Sequence, residues 1–298
     1  MPFITDKNAT MKYFLLSLTA VIALTGDPAH ATAAPLVNPR FEATNIAQDI
    51  GSAGRLRLQS QRLAKLYLQI GLGLNADAAR RQLSRGSAQF DADLFELSHY
   101  AKTAKTQRTL ARTGELWVEL KALLAAAYNV ENMQRVNYLS DDLMITASKL
   151  AMQIEDKADT PIGRLLDLSL RQSMLAQRLA KLYLMARAGD KSHGRLVDME
   201  QARKEFSTGF GELSGARENS AASRSALDLA KTQWLFFENE IRELTRGETG
   251  NPQHVATTSE RIMEVLDAVS AQYAQDYSAA SAANAARLAG AGANTRKN

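Results

Sequence analysis

Apolar residues recur along this chain at the three- and four-residue steps that mark one face of a helix. Thr113, Trp117, Leu120 and Leu124 step by 4, 3 and 4, and Leu227, Ala230, Trp234, Phe237, Ile241 and Leu244 by 3, 4, 3, 4 and 3. Seams of this kind suit antiparallel helices packed at shallow crossing angles, with both tryptophans in the core. Breaks in the pattern predict eight helical stretches: Phe41–Leu72, Ala76–Thr106, Thr109–Tyr128, Glu131–Lys157, Pro161–Ala188, His193–Ala216, Ser220–Thr245 and Gln253–Ala286. Thr160-Pro161 is a helix start with proline at the first helical position. Gly247 to Pro252 reads as a loop, and the Ala/Gly-rich chain from Ser278 onward as a fraying end. The stripe Ile262, Leu266, Val269 and Tyr273 reads as ordinary core.

The stretches come in two sets. Gln61–Leu68 and Gln177–Leu184 both read QRLAKLYL, 116 residues apart. At the same spacing Phe90–Ser98 resembles Phe206–Ser214; Trp117 pairs with Trp234 and Ser140–Met144 with Ser259–Met263 after small slips. The match outruns any single helix, so it marks a duplicated module. The predicted architecture is all-α, two tandem antiparallel four-helix bundles, at residues 41–157 and 160–288, with a flexible tail at 289–298.

Ahead of the bundles, Phe14–Leu24 is an 11-residue apolar run after Lys12, followed by Gly26, Pro28 and Ala29-His30-Ala31. That order matches a secretory signal peptide over residues 1–31, with Met1 and Met11 both available as starts. The run falls short of the about 20 apolar residues a membrane-spanning helix needs. No later segment is apolar enough to span, so the expected product lies in a bacterial periplasm with no transmembrane segment after cleavage.

Composition narrows the chemistry. Ala, Leu, Gln, Arg and Glu are strong helix formers, and only 6 prolines and 17 glycines interrupt them. With no cysteine, neither a disulfide framework nor a thiolate metal site is possible. The net charge of +4 is spread over interleaved faces without a basic, aromatic-studded patch, which argues against nucleic acid and slightly favours an anion or acidic partner. The four histidines are scattered. Glu96-Leu97-Ser98-His99 has the Glu-x-x-His spacing of di-iron bundles, but the repeat carries Gly215 where a second histidine would be needed. No nucleophilic triad and no phosphate loop is recognisable, so the chain reads as a non-enzyme without cofactor or metal.

One feature suggests a ligand. Ile46, Ile50, Ala53, Arg57, Ser60, Ala64 and Tyr67 form one helical stripe, which puts Arg57 on an otherwise apolar or small-residue seam. A charge there must be paired. Its planar fork of donors fits a planar oxyanion; the plainer possibilities are a salt bridge to an interior acid or a snorkelling stem. Arg55, Gln59 and Arg62 fall on a different, wetter face.

The run AGRLRLQSQRLAKLYL, from Ala53 to Leu68, resembles the signature box of PilJ-type sensor domains, the N-terminal helical modules of type IV pili methyl-accepting chemotaxis transducers. It is also similar to the box in periplasmic sensor domains of nitrate/nitrite-responsive histidine kinases. The resemblance implies that Arg57, with Ala53, Gly54, Ser60 and Gln61 around it, takes a small anion such as nitrate or nitrite where two first helices meet. Copy two departs from this pattern, with Ser173 in place of Arg57, Leu170 of Gly54 and Ala176 of Ser60. Two apposed arginines would then require a homodimer through copy one. The leading expectation is a soluble periplasmic anion-sensing protein that hands its shape change to an envelope receptor or sensor kinase. The alternative is a helical scaffold docking on an envelope chemoreceptor or pilus component without a small ligand.

Overall fold

The computed structural model describes residues 39–99, 103–247 and 250–295, with side chains from Ile46 to Leu288 apart from Thr245 and the two gaps. The leader at 1–31 and the choice between Met1 and Met11 lie outside those residues. Eight helices follow in chain order: α1 Pro39–Gly71, α2 Ala76–Ser98, α3 Ala104–Leu124, α4 Val130–Glu155, α5 Pro161–Arg187, α6 His193–Gly215, α7 Ala221–Thr245 and α8 Pro252–Thr295. None of the described helices is long and apolar enough to cross a membrane.

Boundaries follow local chemistry. Thr103 starts α3 by accepting a hydrogen bond from the Thr106 N–H at 3.1 Å, which divides a stretch the periodicity ran together. Asn129, Ser192 and Ser220 cap α4, α6 and α7 in the same way. Thr160 holds the N-cap position of α5 with Pro161 behind it, though its hydroxyl makes no cap bond. α1 ends as Gly73 turns left-handed at φ 71°, a conformation glycine adopts without strain. α8 runs on past Ser278, where the composition suggested a fraying end, to Thr295. Alanine favours helix, and Ser281 donates to the Asp159 carboxylate at 2.6 Å while the Asp159 N–H donates to the Tyr277 hydroxyl.

Each copy is a four-helix ring, α1–α2–α3–α4 and α5–α6–α7–α8, with neighbours in sequence packed as neighbours in space. The predicted seams face inward: Trp117 stacks on Phe90 at 4.1 Å between ring centroids, and their repeat partners Trp234 and Phe206 stack at 3.9 Å. α2 and α3 touch little, as do α6 and α7, so each ring is held from its other sides.

What holds them is the other copy. α1 packs along α5, its own repeat, as extensively as any helix pair in the chain, and α1 also packs on α8. Both copies therefore share one compact unit. From Ile50 to Gln69, every residue of α1 is buried except Arg55 and Arg62, which are half-buried. The wetter face expected for Arg55, Gln59 and Arg62 does not exist: α2 covers the first two and α8 the third. α5 is buried almost as completely.

Gly54 shows how closely the central helices meet. A Cβ there would lie 2.5 Å from Leu170, the residue that replaces Gly54 in copy two, so the small residue of one helix receives the large residue of its repeat. Gly54→Ala should cost about 1–3 kcal/mol by overpacking. The Leu170→Ala change in the same background should recover part of that loss in urea unfolding, whereas two independent bundles would show additive losses.

Candidate functional site

The repeated box builds the contact between the copies. Gln61 donates to the Ser140 carbonyl of its own fourth helix at 2.9 Å, and Gln177 donates to the Ser259 carbonyl of its own at 2.9 Å. The lysines four residues later cross over. Lys65 reaches α8 of copy two, donating to Glu260 at 2.6 Å and Ser259 at 3.3 Å. Lys181 reaches α4 of copy one, donating to Asp141 at 2.8 Å and Ser140 at 3.1 Å. Arg62 adds a two-pronged bond to Glu260, with Nη2 at 2.7 Å, and Arg178 lies 3.9 Å from Asp141. The result is a pair of exchanged clusters related by the repeat, each tying a central helix to the far copy.

Both lysine side chains are 0 % exposed, so their charges persist only because each faces a carboxylate. Burial lowers the Lys65 ammonium despite Glu260 and lowers Lys181 to about 8 despite Asp141. Burial pushes Glu260 the other way, but the charges of Lys65 and Arg62 outweigh it and hold the carboxyl at about 2. Asp141 is likewise held low against its burial by Lys181 and Arg178.

Two pH effects follow. For Glu260 the folded value lies below the ordinary 4.5, so its contribution is complete above 4.5 and lost as pH falls toward 2. The midpoint of urea unfolding should drop across that interval, and less steeply in Glu260→Gln. For Lys181 the unfolded chain holds the proton more tightly, so between pH 8 and 10.5 rising pH favours the folded state. The stability of the protein relative to Lys181→Met should therefore improve over that range.

The five residues expected around an anion are placed as follows. Arg57 is 2 % exposed and crosses to α5, where Nη2 donates to Asp167 Oδ1 at 2.9 Å and to the Asp167 carbonyl at 3.0 Å. Its Nη1 donates to Oδ2 at 3.4 Å, and its Nε meets no acceptor. Ser60 gives its hydroxyl to the Arg57 carbonyl at 2.7 Å, Gln61 holds α4, Gly54 receives Leu170, and Ala53 is core. Arg57 borders a cleft of about 520 Å³ between α4, α5 and α6. Two ion pairs line its walls, Arg171 with Glu205 at 3.2 Å and Arg164 with Glu212.

Of the alternatives for Arg57, the geometry realises the salt bridge to an interior acid, and that acid comes from the other copy. Asp167 stands where copy one has Gly51, and Ser173, in the place of Arg57, is buried with no hydrogen-bond partner. A second chain could not bring its own Arg57 alongside, because α1 has no free face there. Asp167 was not legible beforehand, having no counterpart in the repeat. The exchanged clusters did leave a signal: a lysine recurs in both apolar LAKLYL runs, and the other matched stretch has an acid after its serine in both copies, Asp141 and Glu260.

Residues 41–141 match the family model described as Type IV pili methyl-accepting chemotaxis transducer N-term, PilJ. The match takes in α1, α2, α3 and the first half of α4, and it bears out the resemblance read from the box. No curated protein and no solved structure matches the chain.

Proposed function

We propose that this protein is an exported sensor-type signalling module that works by docking on a membrane-bound receptor or sensor kinase, with its anion seat filled from within. The observation that carries the reading is the Arg57–Asp167 pair. A carboxylate is itself a planar oxyanion, and Asp167 offers one to Arg57 from the helix that packs against it. A dissolved anion would have to displace a tethered competitor, and the equivalent position, Ser173, supplies no second cation. The contact between copies thus does within one chain what two apposed first helices would do between subunits. The apolar run and Ala29-His30-Ala31 support export to the periplasm, and the family match supports a chemoreceptor-related partner.

Titration calorimetry of nitrate and nitrite tests this. The expected result is no heat of binding for the protein or for Arg57→Ala. Binding by the protein that disappears in Arg57→Ala would overturn the reading.

That outcome would favour the second reading, a small-anion sensor. The free Arg57 Nε and the cleft beside it are the observations on its side. In that case Asp167 would have to release the guanidinium as the anion arrives, and Asp167→Asn would bind more tightly than the protein itself.

A further inference from the structure

The outer face of α4 carries an exposed row with no partner among the described residues. Tyr138, Ile145 and Met152 follow one another at intervals of seven residues, and are 66 %, 61 % and 61 % exposed. Seven-residue spacing keeps side chains on one narrow stripe, the seam of a helix pair. The repeat provides an internal comparison. In the register that pairs Ser140 with Ser259, α8 has Thr257, Glu264 and Ala271 at the three positions, all exposed. The four-helix ring is common to both copies and these three positions are exposed in each, so the ring itself does not require the apolar row. Copy one alone has it.

Charges beside the row indicate what covers it. Arg135, Asp142, Lys149 and Asp156 also recur every seven residues, on one flank, and among the described residues none forms a side-chain hydrogen bond or ion pair. They read plus, minus, plus, minus. Laid antiparallel on a second α4 with Ile145 opposite Thr146, Arg135 faces Asp156 and Asp142 faces Lys149. Two-fold symmetry then makes each pair twice, four opposite-charge contacts flanking the apolar seam. A parallel arrangement would set each charge against its own kind. This self-complementarity is what an isologous interface needs.

We propose that two copies of this chain pair antiparallel along α4, with Tyr138, Ile145 and Met152 in the seam and the Arg135–Asp156 and Asp142–Lys149 pairs fixing register. α1, buried inside the chain, takes no part.

Sedimentation velocity over a concentration series tests the pairing, with circular dichroism to check folding. The protein should dimerise reversibly, more weakly in high salt. Ile145→Glu, which installs the residue copy two carries at this position, should abolish the dimer without loss of helix. Asp142→Lys sets like charges together twice and should weaken pairing by about tenfold. Adding Lys149→Asp should restore it, because only the antiparallel register brings those two residues together. A monomer at every concentration, or a dimer that Ile145→Glu leaves intact, would overturn the proposal. So would a dimer weakened by Asp142→Lys that the second change fails to rescue.

Discussion

Replacing Lys65 by alanine is expected to lower stability by about 3–5 kcal/mol, as removing one partner of a buried ion pair does. The loss would come from what remains. Glu260 sits 9 % exposed on α8 with Arg62 as its only other cation within ion-pairing distance among the described residues, and Ser259 loses a donor. In a folded unit of this size each kcal/mol moves the melting temperature by about 2–4 °C, so a drop on the order of 10 °C is predicted by thermal circular dichroism. Lys181→Ala should behave alike through Asp141. Its loss should be the smaller of the two, because Gln61 still donates to Asp141 at 3.2 Å. If the copies were independently stable bundles, either change would melt one half of the helical signal and spare the other. One cooperative transition, shifted as a whole, is the expectation, because each lysine belongs to one copy and its carboxylate to the other. Lys65→Met combined with Glu260→Gln should cost less than Lys65→Ala, since no carboxylate charge is then left facing a missing partner and the amide oxygen can still accept from Arg62.

The second large effect concerns Arg57. Asp167→Ala leaves a guanidinium 2 % exposed in the contact between α1 and α5, with only the Asp167 main-chain carbonyl still accepting from it. The expected loss is about 3 kcal/mol in urea unfolding. Arg57→Met should cost less than Asp167→Ala. An unbranched apolar side chain fills the same seam, and Asp167, at 10 % side-chain exposure beside the cleft, can recruit water. An arginine held free for a ligand would give the reverse: its removal would be nearly neutral, and removing Asp167 would change little. Glu155 reports on the same neighbourhood. Burial first, and then the Asp167 charge, push its carboxyl up from 4.5, so Asp167→Asn should bring it back toward its ordinary value in NMR titration.

Much of this fold was legible in the residues. Three-four spacing put Trp117, Trp234 and the seams around them in the core, and the two QRLAKLYL runs showed the duplication. Local periodicity records which face of a helix is apolar, however, and not which helix lies against it. α1 and α5 are buried nearly all round, polar side chains included, because each has neighbours on every side. Read one copy at a time, each appeared to have a polar face left for water. Lys65 and Arg62 look like surface residues until their partners are known, and those lie on α8, almost 200 positions on. The candidate site was half legible. Arg57 was found as a buried charge in need of a partner, but Asp167 falls outside both the box and the repeat, so only the packing of α5 on α1 brings them together.

The central claim is that the first-helix arginine joins the two copies. A double-mutant cycle on Arg57 and Asp167, with unfolding free energies for the protein, Arg57→Met, Asp167→Ala and the combined variant, measures it directly. A coupling of about 2 kcal/mol or more, with the double variant more stable than Asp167→Ala alone, is the predicted result. Additive losses would mean that the two side chains do not depend on each other, and would contradict the account.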